Sequence, residues 1–160
     1  MSHATADLCD AHADAVRVVG PILHDFGGRS EFCGPIVTLR ALEDNSVVRA
    51  TLETAGQGAV LVVDGGGSQR CALVGDKLAQ LAIDNGWAGL IIYGCVRDST
   101  QLKEMPLGIK ALGVCPRRSR KLGHGEREVP VTFGGVLFEP GAYVYADGDG
   151  IVVSPPALEA

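Results

Sequence analysis

No stretch of this chain approaches the roughly 18 consecutive apolar residues that a bilayer-spanning helix requires. Its first residues, MSHATADLCDAHADAV, carry no basic segment followed by an apolar one. A membrane span and a secretory leader are therefore unexpected, and a cytoplasmic location is the expectation. The five cysteines, Cys9, Cys33, Cys71, Cys95 and Cys115, are odd in number and never form a C-x-x-C pair. That speaks against a disulfide framework or a zinc knuckle, so they are expected as reduced thiols, mostly in the core. His3, His12, His24 and His124 share no i, i+4 spacing and are not expected as metal ligands. Aromatic residues make up only 5% of the chain, and none interleaves its one basic cluster, Arg117-Arg118-Ser119-Arg120-Lys121. Base stacking has no platform there. With a net charge of −5, the surface as a whole repels phosphate. Direct binding of nucleic acid is not expected, and the cluster reads as a solvated loop.

What is present is an ordinary globular composition: 160 residues, 46% hydrophobic and 21% charged, with mean hydropathy +0.19. One domain over residues 1–160 with its own core is expected. Leu8, Ala11 and Ala15 recur at helical spacing and predict a helix over residues 4–15. Residues 36–42 alternate like a half-buried strand. Asp44, Asn45 and Ser46 offer caps for a helix running to Ala55 and ended by Gly56. AVLVVD and GLIIYGCV are near-continuous apolar runs flanking a helical stretch over 76–85, a βαβ pattern that implies parallel strands covered on both faces. A short polar helix over 99–104 and the run IKALGV follow. The last third is divided by Gly-Gly, Pro-Gly and Asp-Gly into short alternating runs, the pattern of β-hairpins. The expected class is α/β, with a central βαβ unit and a β-rich C-terminal third.

The glycines of VLVVDGGGSQRCALVGDKLAQLA (residues 60–82) invite a phosphate-loop reading that the details reject. A P-loop needs G-x-x-x-x-G-K-[ST], and a dinucleotide fold needs G-x-G-x-x-G at the strand-to-helix turn; neither template fits. Gly65-Gly66-Gly67 reads as a turn or a ligand loop, best taken as a backbone device shaping the floor of a site. Gly75-Asp76-Lys77-Leu78 opens an amphipathic helix, whose first amides lack intrahelical partners and suit a small anion such as a carboxylate. Asp76 could equally cap those amides itself. Arg97 and Asp98 end the next strand, so both pairs should meet at one sheet edge. An arginine fork suits a carboxylate or enolate oxygen, and an adjacent carboxylate suits a hard divalent cation that keeps several waters.

These residues, together with DLCDAHADAV, FGGRSEFCGPIVTL, EDNSVV, NGWAGLIIYGCVRD, FGGVLFEPG and YADGDGIVVS, closely resemble the RraA-like family. It includes regulators of ribonuclease E and class II 4-hydroxy-4-methyl-2-oxoglutarate aldolases. The resemblance implies a three-layer β/β/α swivelling-type single domain, assembled into homotrimers with sites at subunit boundaries. Its enzymatic members carry Gly-Asp, twenty residues and Arg-Asp, matched here by Gly75-Asp76, residues 77–96 and Arg97-Asp98. The resemblance implies that Gly75, Asp76, Lys77, Leu78 and Arg97 hold a pyruvate-like group and that Asp98 anchors a divalent metal, Mg2+ or Mn2+. Arg97 would stabilise an enolate and Asp76, acting through a water, would serve as base. Where some aldolases carry an acidic residue three positions after that aspartate, this chain has Gln101, which would favour oxaloacetate decarboxylation over aldol cleavage. The other function implied is a non-catalytic regulator that docks on a ribonuclease.

Overall fold

The computed structural model describes residues 3–155, 157 and 158. Along the chain run α1 (Thr5–Ala11), β1 (Arg17–Val18), β2 (His24–Asp25), β3 (Phe32–Arg40), α2 (Ser46–Leu52), β4 (Val60–Asp64), β5 (Ala72–Val74) and α3 (Asp76–Asp84). There follow β6 (Gly89–Val96), α4 (Ser99–Lys103), β7 (Gly108–Val114), β8 (Glu126–Arg127), β9 (Val131–Phe133), β10 (Val136–Phe138), β11 (Tyr143–Ala146) and β12 (Ile151–Ser154). One sheet orders its strands β1-β12-β11-β3-β4-β6-β7-β2, with β5 added beside β6 and β8 beside β3, while β9 and β10 pair separately.

The long strand β3 turns one sheet into two layers. Its first half, from Phe32 to Pro35, pairs antiparallel with β11, and its second, from Ile36 to Arg40, pairs parallel with β4. The parallel part is covered on both faces, which is why its strands are apolar without alternation. Leu61 and Val63 of β4 enter a core with Val48 and Leu52 of α2 and with Leu78, Ala79 and Ala82 of α3. Val60 and Val62 enter a second core with Phe133, Phe138, Val144 and Val153 from the C-terminal strands. These four of the five β4 side chains are fully buried. Helices, parallel sheet and β-layer are the expected β/β/α arrangement. The ring of Phe133 stacks between Tyr93 and Phe138, at centroid distances of 5.1 and 4.5 Å, joining the two sheet layers.

Hairpins form at Gly-Gly, between β9 and β10, and at Asp-Gly, between β11 and β12; the one expected at Pro-Gly is corrected, because β10 and β11 do not pair with each other. Phe133 pairs with Val136, leaving Gly134 and Gly135 as a two-residue turn with φ of +59° and +76°. That is the glycine-demanding conformation whose twist suits paired strands. Several boundaries move. α1 stops at Ala11, because His12 leaves helical geometry. The strand expected over 36–42 runs instead over Phe32–Arg40, and the helix expected to reach Ala55 ends at Leu52. All five thiols are free, but only Cys71 and Cys95 are buried, so the expectation of mostly core cysteines is corrected. No helix among the described residues is long and apolar enough to cross a membrane.

A buried charge ties the N-terminus to the sheet. Lys110 of β7, 4% exposed, donates to the Asp147 carbonyl at 2.7 Å and pairs with Asp25 of β2 at 3.0 Å. The carboxylate of Asp147 accepts from the Thr5 amide at 2.8 Å and the Thr5 hydroxyl at 2.7 Å. Burial alone would raise that carboxyl, but hydrogen bonds from Thr5, Asp149 and Gly150 outweigh it and hold it below its ordinary value.

Candidate active site

The two residue pairs singled out in the sequence meet, by a route that differs from the expected one. β4 does not feed α3 directly. After the glycine turn the chain forms β5, which pairs parallel with β6, Ala72 opposite Cys95 and Val74 opposite Val96. Gly75 therefore emerges beside Arg97, whose amide donates to the Val74 carbonyl at 2.9 Å. The triple glycine lies outside the cleft that results. Gly66 and Gly67 have φ of +69° and +74°, the amides of Gly65 and Gly67 both donate to the Tyr93 carbonyl, and the backbone packs on Leu73 and Tyr93. It is a tight turn, and the expectation that it shapes the floor of the site is corrected.

Gly75 is the N-cap of α3 and has no side chain to cap with. Asp76 is already the first helical residue, and the cap comes from elsewhere: the Asp76 amide donates to Asp98 Oδ2 at 2.9 Å. The reading of Asp76 as its own cap is thereby replaced. The amides of Lys77 and Leu78 have no intrahelical acceptor and remain for an anion. Asp98 is positioned by a left-handed backbone, φ +59° and ψ +42°, a conformation that Asp tolerates better than most residues. A Cβ built on Gly75 would stand 2.5 Å from Asp98 Oδ2 and 3.2 Å from Arg97 Cγ. Any side chain there would displace Asp98 and Arg97.

These residues line a cleft of about 390 Å³ with Asn45, Arg49, Ala72, Leu73, Val74, Arg118, Ser119 and Lys121. Arg118 and Lys121 belong to the cluster expected as a solvated loop, and that expectation is corrected in part. Although four of its five residues are exposed, Ser119 is buried, and the segment is laced into the fold. The Ala72 amide donates to the Arg117 carbonyl at 2.7 Å, and the Asn45 amide to that of Arg120 at 3.2 Å. Asp44 clamps the continuation, accepting from the Ser46 amide and hydroxyl at 2.9 and 2.6 Å, the Leu122 amide at 2.7 Å and the His124 amide at 3.4 Å. The only local sign of this was Asp44 before Ser46, which reads equally well as an ordinary cap.

Burial would push the Asp44 carboxyl up, but those hydrogen bonds outweigh it and bring it to about 2, from an ordinary 3.8. The folded state thus binds this proton less tightly than the unfolded chain. Its contribution to stability is fully present above roughly pH 4 and is lost as pH falls toward about 2. Asp44→Asn should therefore be less stable at pH 7 and should show a flatter dependence between those limits. Urea unfolding across that range is the check, and an unchanged pH slope would contradict the clamp.

The donor set suits a hard divalent cation that keeps most of its water. Asp98 offers a carboxylate with one oxygen engaged by the Asp76 amide and the other available. Among the described residues no three His, Cys, Asp or Glu side chains gather into a closed cage. The cleft as a whole carries five cationic side chains, Arg49, Lys77, Arg97, Arg118 and Lys121, against two carboxylates, Asp76 and Asp98. On a protein of net charge −5, the cleft is locally cationic, a charge balance that suits an anion.

Residues 5–153 match the family described as RraA-like, Aldolase/RraA. A protein of Aromatoleum aromaticum named "Putative 4-hydroxy-4-methyl-2-oxoglutarate aldolase" is 57% identical over 158 residues, covering 99% of each chain. Two solved structures superpose with TM-scores of 0.96. One, named S-adenosylmethionine: 2-dimethylmenaquinone methyltransferase from Geobacillus kaustophilus, is 52% identical and covers 98% of this chain and 97% of its own. The other, the RNA-processing inhibitor RraA from Thermus thermophilis, is 43% identical and covers 100% and 97%.

Proposed function

The chain belongs to the RraA-like, Aldolase/RraA family, and from that premise we propose that it is a divalent-metal-dependent aldolase. It would cleave 4-hydroxy-4-methyl-2-oxoglutarate and related 4-hydroxy-2-oxo acids to pyruvate, with oxaloacetate decarboxylation as a side activity through the same pyruvate enolate. The observation that carries this reading is the convergence of the Gly75 turn, Arg97 and Asp98 in one cationic cleft. Assembly into a homotrimer, with the cleft at a subunit boundary, belongs to the same proposal.

Each residue type has a use in that chemistry. The free amides of Lys77 and Leu78 receive the substrate's C1 carboxylate. Asp98 would hold the cation, Mg2+ or Mn2+, which when bound supplies Lewis acidity to the 2-oxo group. Asp76 takes the proton of the C4 hydroxyl, through a water. As the C3–C4 bond breaks, its electron pair passes into the pyruvate enolate, whose oxygen Arg97 stabilises. C4 leaves with its methyl group and carboxylate as a second pyruvate, and protonation at C3 completes the first. Decarboxylation reaches the same enolate without a base for a hydroxyl. Gln101 on α4 is exposed and supplies no carboxylate, so decarboxylation is expected to be the less demanding reaction here.

The methyltransferase name of one relative finds little support in this cleft. The glycine turn after β4 is packed on Leu73 and Tyr93 and leads into another strand, not into a helix that could receive a nucleotide cofactor. The test of the aldolase reading is pyruvate release from 4-hydroxy-4-methyl-2-oxoglutarate and from oxaloacetate, with Mg2+ or Mn2+ and then with excess chelator. Turnover that chelation abolishes is expected. Silence with both substrates would reject the proposal in favour of a protein that regulates a ribonuclease by docking.

A further inference from the structure

A second cavity, of about 230 Å³, opens at the C-terminal end of α2 and shares no lining residue with the candidate active site. Val37 and Leu39 of β3, Gly56 and Trp87 supply its apolar walls. Those walls are fixed: Trp87 Nε1 donates to the Thr54 carbonyl at 3.1 Å, and a Cβ built on Gly56 would stand 2.6 Å from Trp87 Cγ. Thr51, on the last turn of α2, also lines the cavity and is only 6% exposed. Its hydroxyl is buried with no hydrogen-bond partner, a deficit that folded proteins rarely leave uncompensated. Threonine in a helix has two open rotamers, so this hydroxyl can turn to meet a partner in the cavity.

The rim is charged. Arg127 of β8 and Glu128 after it both line the cavity and both are exposed. Consecutive residues of a strand point to opposite faces, but Glu128 has a left-handed φ of +56°, which ends the alternation and lets both side chains share one opening. Neither has an ion-pair partner among the described residues. A cation and a carboxylate side by side, above an apolar chamber with a hydroxyl at its floor, match a zwitterion that has an apolar body and a hydroxyl tip.

Independently of the aldolase reading, we propose that this cavity binds a phenolic α-amino acid. The ring lies among Val37, Leu39 and Trp87, and the phenol hydroxyl bonds to Thr51 Oγ1. At the rim the carboxylate meets Arg127 and the ammonium meets Glu128. The cavity is smaller than the roughly 300–1,000 Å³ of sites for drug-sized ligands, which suits so small a molecule.

The experiment follows Trp87, the chain's only tryptophan, by fluorescence excited where free tyrosine does not absorb. L-tyrosine, L-phenylalanine or desaminotyrosine is added to the wild type, Thr51→Val and Arg127→Gln. A saturable change with L-tyrosine is expected, with an affinity about 3- to 10-fold above that for either analogue, the scale of one hydrogen bond or one exposed ion pair. Thr51→Val should erase the preference over L-phenylalanine, and Arg127→Gln should weaken all three ligands alike. Because valine keeps the shape and deletes an unsatisfied hydroxyl, Thr51→Val should unfold at the same or a higher urea concentration than the wild type. A Thr51→Val variant that unfolds at lower urea would reveal an internal partner for the hydroxyl and overturn the proposal. So would the absence of a saturable change, equal affinity for L-tyrosine and either analogue, or unaltered binding in Arg127→Gln.

Discussion

Asp98→Ala should abolish aldolase and decarboxylase turnover, a loss of at least about 1,000-fold in kcat/KM, the scale on which a reaction loses its electrostatic stabilisation. Two functions go with that carboxylate. In the proposed chemistry one oxygen anchors the cation; the other accepts the Asp76 amide at 2.9 Å and so caps the turn that opens α3. Asp98→Asn separates them. Its side-chain oxygen can still accept from the Asp76 amide, so the turn and its cap should persist, while the anionic anchor is gone. The expected pattern is near-complete loss of activity in both variants. The alanine variant should also lose about 1 kcal/mol of stability, the usual cost of removing a cap, and the asparagine variant much less. Steady-state kinetics and urea unfolding measure the two effects. Full activity in either variant would reject Asp98 as the metal anchor.

Gly75→Ala is the second large effect and has an unusual origin. The Gly75 backbone, φ −126° and ψ −163°, is extended and open to any residue, so no conformational strain is involved. The added methyl would meet Asp98 Oδ2 at 2.5 Å and Arg97 Cγ at 3.2 Å. Both side chains would have to shift, and they are the two that the proposed aldolase chemistry uses. Displacement of about 1 Å in such groups can cost roughly 100-fold in rate. We expect kcat/KM to fall by about that factor or more, with cooperative unfolding retained, because the clash is relieved into the cleft and leaves the core untouched. Retained activity would mean that the close approach of Gly75 to Asp98 has no catalytic consequence.

Much of the fold was legible because it is written in local patterns. The apolar runs of β4 and β6, without alternation, announced strands covered on both faces, and the buried sides of Val60 through Val63 bear this out. Gly134-Gly135 between two apolar triplets announced its hairpin. β5 was not legible. Three apolar residues between a glycine turn and Gly75 are too few to show a period, and they form a strand only because β6 offers an edge to pair with. The basic segment 117–121 misled for a related reason. Its residues look solvated in sequence, and four of them are exposed, but Asp44, Ala72 and Asn45 hold its backbone from distant parts of the chain.

The sequence by itself determined the mixed α/β plan with its βαβ unit and β-rich last third, the candidate pairs Gly75-Asp76 and Arg97-Asp98, and the chemistry that their side chains and amides can perform. Those depend on residue identity and short-range period. Only the tertiary structure decided how the parts cooperate. α3 is capped by a carboxylate 22 residues away, the triple glycine serves as a packed turn, and a basic stretch becomes part of the cleft lining. Each rests on contacts between segments remote in sequence, where burial and hydrogen-bond geometry select one arrangement among several that local propensity permits equally.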